Sequence, residues 1–135
     1  VHPDRGVLVS DEIVFGKRVT KFPGGGLEFG EGTKDCLIRE MTEETGHDFE
    51  VHDHFYTTDF FVPSAFDASL QVISVYYRMS PKDPLSFNVS DKPFDFVEGV
   101  GVQQSLRFIP LSALRSEDLA LVIDQHVAGM LVVNG

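Results

Sequence analysis

The chain has 135 residues, 42% of them hydrophobic, and a formal net charge of −10. This length suits one domain with a hydrophobic core, and we expect a single domain over residues 1–135. Acidic residues outnumber basic ones by 21 to 11, which disfavours a nucleic-acid partner. No apolar run approaches the roughly 18 residues of a membrane helix, so no membrane partner is expected. A lone cysteine, Cys36, excludes an internal disulfide and favours a reducing cytoplasm.

The first third of the chain carries turn and strand signals. Segment 3–6, PDRG, has proline early and glycine last, as in a tight turn, and VLVS after it is typical of a short buried strand. A mixed segment extends from Asp11 to Phe22. It contains three bases, which are Lys17, Arg18 and Lys21.

A helix is predicted from about Thr33 to Thr45. Thr33 is a suitable N-cap, and Asp35 is an acid in the first turn, where the helix dipole favours it. Gly46 suits the left-handed position after the last turn.

The rest of the chain predicts more strands and a second helix. HFYTTDFFV and LQVISVYYRM alternate as strands do and are joined by PSAFDAS. LRFIP is a further short strand, after a polar stretch from Ser80 to Pro93, and Ser116 is expected to cap a final helix, EDLALVIDQHVAGMLV. Strands interleaved with two helices indicate a mixed α/β domain.

The first predicted helix concentrates carboxylates on one face. At about 100° per residue, Glu40, Glu43 and Glu44 fall within an arc of about 100°. Like charges at this spacing repel one another, so a partner of opposite charge is expected. Arg39 lies beside the arc and is positioned to pair with a glutamate. A separate apolar side, suited to packing on a sheet, consists of Leu37, Ile38 and Met41.

The glycine-rich segment before this helix, PGGGLEFGEG, adds Glu28 and Glu31. Hard oxygen ligands that converge from one loop and one helix suit Mg²⁺ or Mn²⁺. A solvated acidic face is the alternative that composition alone leaves open.

The spacing of these residues is more specific than their composition. Segment Gly25–His47 reads Gly, five residues, Glu, seven residues, Arg-Glu-Met, one residue, Glu-Glu, one residue, Gly, and it resembles the Nudix box GX₅EX₇REUXEEXGU, where U is aliphatic. The preceding FPGG and the internal LEFGE are similar to that family as well. His47 departs from the pattern, because an aliphatic residue is usual there.

The resemblance implies a Nudix fold, an α/β/α arrangement in which a mixed β-sheet is sandwiched between helices. It also implies metal-dependent hydrolysis of a nucleoside diphosphate linked to another moiety. By the resemblance, the metal ligands are Glu40, Glu43, Glu44 and the carbonyl of Gly24. Arg39 orients the glutamates, and the general base is Glu40 or Glu44. The supporting residues are Glu31, Glu28 and Gly25.

Family members often carry a further acid in the loop before the late strand. Gln103 and Gln104 stand near that place and cannot act as bases, whereas Glu98 is a candidate if its loop folds back. An exposed loop acid is the alternative for Glu98. The candidates for substrate contact are Lys17, Arg18, Lys21 and Phe15, with a solvated strand edge or a core position as the alternatives.

Nudix domains usually have a full strand before the first hairpin, and here only Val1 and His2 precede the first turn. We therefore expect a truncated first strand, whose open sheet edge would favour a homodimer.

Two functional classes remain open. The first is a pyrophosphohydrolase that acts on a nucleoside triphosphate, with a slight preference for a MutT-like enzyme, or on a conjugate such as ADP-ribose or a nucleotide sugar. The second is a catalytically idle Nudix-fold module that binds a nucleotide or metabolite. The complete set of box glutamates favours the enzyme.

Overall fold

A computed structural model describes residues 1–83 and 88–134 of the chain. Residues 84–87 of the predicted polar stretch lie outside this range. In the described residues, two groups of strands are each followed by a helix, which agrees with the predicted α/β class. They are β1 (Val7–Val14), β2 (Lys17–Lys21), α1 (Thr33–Thr45), β3 (Phe49–Thr57), β4 (Val75–Pro81), β5 (Gln104–Ile109), a short 3-10 helix (Ser116–Asp118) and α2 (Val122–Asn134).

The chain divides into two compact units, which are described separately. The sheet unit consists of Val1–Pro23, Asn88–Ala120 and Asp124–Gly135. The helix–hairpin unit consists of Gly24–Phe87 and Leu121–Ile123. Within the described residues, no helix has the length and apolar character needed to cross a membrane.

The sheet unit contains an antiparallel sheet in the order β2-β1-β5. The predicted short strand extends to Val14, and the mixed segment after it completes a β-hairpin. Phe15 and Gly16 form the turn, with φ angles of 49° and 77°. Positive φ at both central residues is typical of the tight turns that join antiparallel strands. The alternation of SDEIV, which places successive side chains on opposite faces, was the signal for the longer strand.

A buried carboxylate lies at the centre of this sheet. Asp11, on β1, has no exposed surface. It accepts hydrogen bonds from the Thr20 hydroxyl (2.7 Å) and from Nε of Arg107 (2.7 Å). The backbone N–H of Phe94 also donates to it, at 3.2 Å. Because a buried charge is costly unless it is paired and hydrogen-bonded, these contacts are what makes Asp11 tolerable in the interior.

The helix–hairpin unit joins α1 to an antiparallel pair of strands, β3 and β4. The bounds of α1 agree with the prediction, but its N-cap is Gly32 rather than Thr33. The Asp35 carboxylate accepts a hydrogen bond from the Gly32 N–H (3.3 Å), and the Thr33 hydroxyl is hydrogen-bonded to the hydroxyl of Tyr77 (2.7 Å). Gly46 ends the helix at φ 74°, in the left-handed conformation predicted for it.

The buried face of α1 differs from the predicted one. Cys36 and Met41 are buried, whereas Ile38 is 37% exposed. At about 100° per residue, Cys36 and Met41 lie about 140° apart around the helix, so the buried surface of α1 is broader than a single narrow stripe.

Three further predicted elements have different bounds in the structure. The strand predicted from Leu70 begins at Val75 and ends at Pro81. The first hairpin strand begins at Phe49 and ends at Thr57, because Phe49 is buried and pairs with Pro81. Beyond it the chain is paired irregularly, through an isolated bridge of Pro63 with Gln71 and through backbone hydrogen bonds such as that from the Val72 N–H to the Val62 carbonyl (2.9 Å). The last helix begins at Val122 instead of directly after Ser116.

The late start of α2 has a local cause. Ser116 begins a 3-10 helix, which ends at Asp118. Leu119 then takes an extended conformation, with φ −106° and ψ 141°, and its side chain is almost fully buried. The extended, buried Leu119 therefore interrupts the helix that was predicted to begin directly after Ser116.

The single domain, the truncated first strand and the homodimer stay predictions. Before β1, the chain makes a tight turn in which the His2 N–H donates to the Gly6 carbonyl at 2.6 Å.

The paired Asp11 generates a stability prediction. We expect Asp11→Asn to lower the free energy of unfolding by about 3 kcal/mol, because it leaves the charge of Arg107 without its counterion. Glu98→Gln removes an exposed ion pair with Arg18 in the same unit and should cost less than about 1 kcal/mol. Urea denaturation of both variants measures the difference, and equal losses would contradict the structural role of Asp11.

Candidate active site

Arg39 is the centre of the candidate site in the helix–hairpin unit. Its Nε and Nη2 donate to the two carboxylate oxygens of Glu31, at 3.0 and 2.7 Å. Its Nη1 donates to Glu40 at 3.0 Å and reaches Glu43 at 3.3 Å. The planar guanidinium matches a carboxylate in this forked geometry, which a lysine cannot reproduce. Arg39 therefore joins a loop carboxylate to two helix carboxylates.

The same guanidinium also fastens the glycine-rich loop. Nη2 of Arg39 donates to the backbone carbonyl of Gly26 at 3.0 Å. Within the loop, the Glu28 N–H donates to the Glu31 carboxylate at 2.9 Å, and the Glu31 N–H donates to the Glu28 carbonyl at 3.3 Å. The buried Cys36 thiol lies 3.5 Å from the Gly26 carbonyl. The loop is thus held by side chains of α1 at several points.

Gly25 explains why the loop approaches the helix so closely. A Cβ atom at this position would overlap the carboxylate of Glu40. Its neighbour Gly26 has open space where its Cβ would be. The close approach at Gly25 therefore leaves room for the Glu40 carboxylate, which a larger residue at this position would displace. Gly24, by contrast, has a φ of 143°, which itself favours glycine.

The charges in this cluster shift one another's protonation. Hydrogen bonding to Arg39, with a further bond from the Glu28 N–H, lowers the pKa of Glu31 to about 2. The same contact with Glu31 raises the pKa of Arg39. Burial, reinforced by Glu31, raises the pKa of the Cys36 thiol. Glu31 and Arg39 are therefore a fixed ion pair at neutral pH, and Cys36 is a neutral thiol.

The glutamates predicted as metal ligands share the helix but differ in surroundings. The side chain of Glu40 is mostly buried against Arg39, and that of Glu43 is exposed. Oε2 of Glu44 is buried. Glu28, from the loop, is exposed and lies 3.8 Å from Arg39. Arg39 thus offsets the repulsion that the sequence predicted among these carboxylates.

The donor set fits a hard divalent cation by its chemistry, since it consists of carboxylates and backbone carbonyls. The side-chain positions are a separate matter. Among residues 1–83 and 88–134, no three His, Cys, Asp or Glu side chains are grouped so that they could hold a metal ion. Glu31, Glu40 and Glu43 turn toward Arg39 instead.

The remaining predicted site residues lie in the sheet unit, and two of the bases there are paired with acids. Arg18 forms an ion pair with Glu98 (2.7 Å) and lies over the ring of Phe94 (4.8 Å). Lys21 lies 3.6 Å from the carboxylate of Glu12. Lys17 and Phe15, at the hairpin turn, are exposed. Glu98, considered as an additional acid, is thus held by Arg18, and Gln103 contributes its backbone carbonyl to the Ile13 N–H (3.4 Å).

Sequence reasoning missed the polar residues of β1. Ser10 and Glu12 face one side of the sheet together with Lys21 and Gln104. Acidic and hydroxyl residues inside an otherwise apolar strand, as in VLVSDEIV, were the available signal.

The sequence matches the family described as NUDIX domain over residues 2–125, which is most of the chain. The chain therefore belongs to the Nudix family and is a Nudix hydrolase. Members of this family generally use divalent metal ions and act on small nucleotide-like molecules. No curated protein matches the chain.

A solved structure supports the fold. The chain is similar to one from a structure and function analysis of MutT from Aliivibrio salmonicida and Vibrio cholerae, with a TM-score of 0.51 and 17% sequence identity. The match covers 95% of this chain and 86% of that chain. The predicted Nudix fold is thereby confirmed.

The depressed pKa of Glu31 generates a prediction about pH. Folding lowers this pKa from 4.5 to about 2, so the native state gains stability that is complete above pH 4.5 and is lost as the pH falls toward 2. We expect Glu31→Gln to be less stable than the wild type at pH 7 and the difference to shrink below pH 4.5.

Urea denaturation with EDTA across that range measures this difference. Glu50→Gln, at an exposed position of β3, is the matched control. A difference between wild type and Glu31→Gln that grows on acidification would contradict the Glu31–Arg39 pair.

Proposed function

We propose that the protein is a metal-dependent pyrophosphohydrolase that cleaves the diphosphate linkage of a nucleoside triphosphate or nucleoside diphosphate derivative by attack of water. The observation that carries this proposal is the clamp of Arg39 on Glu31 and Glu40, which fixes the glycine-rich loop against the acidic face of α1. A simple solvated acidic face would not need an arginine that fixes a loop carboxylate to a helix carboxylate. The three residues of the clamp, Glu31, Arg39 and Glu40, all stand at fixed positions of the Nudix box.

In this proposal, Glu40, Glu43 and Glu44 hold Mg²⁺ or Mn²⁺, and the Gly24 carbonyl is a further ligand. The ion would supply positive charge that offsets the diphosphate oxygens. Arg39 keeps the Glu40 carboxylate oriented, and Glu31 with Glu28 keeps the loop in place. Gly25 leaves room for Glu40 beside the loop.

The general base is proposed to be Glu40 or Glu44. Glu44 lies on the same helix as Glu40 and has a buried carboxylate oxygen. Glu98 is the weaker candidate for an acid or base, because its carboxylate forms an ion pair with Arg18.

The substrate is proposed to be a nucleotide, with a MutT-like preference for a nucleoside triphosphate. ADP-ribose or a nucleotide sugar is the alternative within the same chemistry. Triphosphate cleavage of this kind yields a monophosphate and pyrophosphate, whereas conjugate cleavage yields two monophosphates. The cytoplasmic location, the homodimer and the absence of nucleic-acid or membrane partners stay predictions.

The first test is hydrolysis of a panel of nucleoside triphosphates, ADP-ribose and nucleotide sugars with Mg²⁺ or Mn²⁺. We expect turnover of at least one substrate and its loss with EDTA. Glu40→Gln and Glu44→Gln should each reduce kcat by at least about 100-fold, because each removes the charge of a proposed metal ligand and one of them also removes the base. Glu50→Gln is the control and should keep the wild-type rate.

Chromatography of the products identifies the class of substrate. Folded protein that binds a nucleotide tightly without turnover of any substrate in the panel would contradict the hydrolase and favour a binding module.

The contact between Gly25 and Glu40 gives a second test. Gly25→Ala should displace the Glu40 carboxylate and reduce kcat by about 10- to 100-fold, because small misplacements of catalytic groups are costly. Gly26→Ala has open space for its methyl group and is the matched control. Stability should change little in Gly25→Ala, since the flexible end of Glu40 can move. Equal rates in the two variants would show that the position of Glu40 does not matter.

A further inference from the structure

Between β3 and β4 the chain forms a hairpin extension, which we call the arm and define as residues 58–74. At its base, the Thr58 N–H donates to the Ser74 carbonyl at 3.0 Å, and the Ser74 N–H donates to the Thr58 hydroxyl at 2.9 Å. Further out, the Val72 N–H donates to the Val62 carbonyl at 2.9 Å. The two sides of the arm are therefore joined at its base and along its middle.

The tip of the arm is fixed by a second set of hydrogen bonds. Oγ of Ser64 accepts from the N–H groups of Phe66 (3.2 Å) and Asp67 (3.3 Å). The Asp67 carboxylate in turn accepts from the N–H and the hydroxyl of Ser69, at 3.0 and 2.6 Å. Because these groups are already ordered, binding of a partner to the arm would cost little additional conformational entropy.

One face of the arm carries a pair of large apolar side chains. Pro63 pairs with Gln71, so Phe61 and Ile73, two positions further along each side, lie opposite each other on the same face. Phe61 is 74% exposed and Ile73 is 69% exposed. A paired Phe and Ile on a solvent-facing side of a hairpin is typical of a surface that another molecule covers.

Two more large apolar side chains, Phe66 and Leu70, are more than half exposed at the tip. We call Phe61, Phe66, Leu70 and Ile73 the arm surface. At roughly 200 Å² for each of these side chains, their exposed fractions amount to about 500 Å² of apolar area. Apolar area of this size on one short element is at the upper end of what monomeric proteins expose to water.

The charge of the arm limits what can cover this surface. Its only charged residues are Asp59 and Asp67, so it offers no cation to a nucleic acid or to an anionic lipid surface. The Asp59 carboxylate accepts a hydrogen bond from the Tyr56 hydroxyl (2.6 Å), and Asp67 is used within the tip. The arm surface therefore lacks the charged groups that commonly select a protein of different sequence.

A second copy of this chain fits these properties. In a two-fold contact the same surface is used by both copies, so an uncharged apolar surface meets its own chemical match. Two arm surfaces in contact would bury about 1,000 Å² of apolar area, which is the size expected of a specific interface before the surrounding polar groups are counted. Homodimer interfaces are also more apolar than those of transient complexes.

We propose that the arm is the interface of a homodimer, in which the arm surface of one copy packs against that of its partner about a two-fold axis. This contact differs from the open sheet edge before β1 that the sequence predicted. Each copy has a formal net charge of −10, so the copies repel each other and apolar burial drives their association. Because salt screens the repulsion, the dimer is more stable at high ionic strength.

Sedimentation velocity of the wild type from about 1 to 200 µM tests this interface. We expect the mass to rise from that of one chain, 15.0 kDa, toward twice that value, and to do so at lower protein concentration when NaCl is added. Phe61→Lys and Ile73→Lys each place an ammonium group in the apolar contact. Each should raise the Kd of the dimer by at least about tenfold.

Val133→Lys is the matched control, because it places the same charge at an exposed apolar position of α2, outside the arm. It should keep the wild-type Kd. Phe61 and Ile73 are exposed, so their lysine variants should keep the wild-type melting temperature. Leu70→Gln, at the tip, is a further variant in case either of them does not fold.

The possible results decide between the arm and other modes of association. Loss of the dimer in the arm variants, with its retention in Val133→Lys, would support the inference. A mass that stays at one chain throughout would overturn it and leave the arm to a protein of different sequence. A dimer that persists in the folded arm variants would also overturn it, as would growth beyond two chains, which a closed two-fold contact does not allow. Since no nucleotide or metal is added, these results are independent of the proposed hydrolase.

Discussion

The site depends on the contact of Arg39 with Glu31. An acidic helix face and a loop with acids of its own would repel each other, and the shared guanidinium makes their approach favourable. The cost of holding a long side chain in place is offset by the forked geometry and by the Gly26 carbonyl. This one cation sets where the loop lies, and the loop sets where Glu40 can lie. Because Gly25 has no side chain, the loop can approach α1 at this point without displacing the Glu40 carboxylate.

Charge is arranged differently on the sheet. Asp11 and Arg107 form an ion pair that the interior tolerates because both oxygens of the Asp11 carboxylate accept hydrogen bonds. Glu12, one residue later, lies on the opposite face and keeps longer contacts. Strand alternation alone produces this division, since neighbouring side chains point to opposite sides. A single dipeptide thereby contributes one fully buried carboxylate and one that is partly exposed.

The sequence predicted the parts of the molecule that depend on local spacing. The box, the bounds of α1 and the left-handed Gly46 all follow from residues close together in the chain, and the structure has them. The N-cap is Gly32 instead of the predicted Thr33, and the Gly32 N–H donates to the Asp35 carboxylate. The start of α2 and the polar surroundings of Glu12 depend on contacts between distant segments, such as the burial of Leu119 and the pairing of β1 with β5. Propensity and periodicity carry no information about such contacts.

The distribution of cations bears on how an anionic substrate would be bound. The chain has a formal net charge of −10, and Arg18, Lys21 and Arg39 each face a carboxylate. A cation that is already paired with a carboxylate presents little net field to a phosphate group. A diphosphate is therefore attracted more strongly by a positive charge that is not already paired with a carboxylate. A divalent ion bound as proposed at the glutamates of α1 would supply such a charge, so the proposed metal dependence is supported by the charge of the chain as well as by its family.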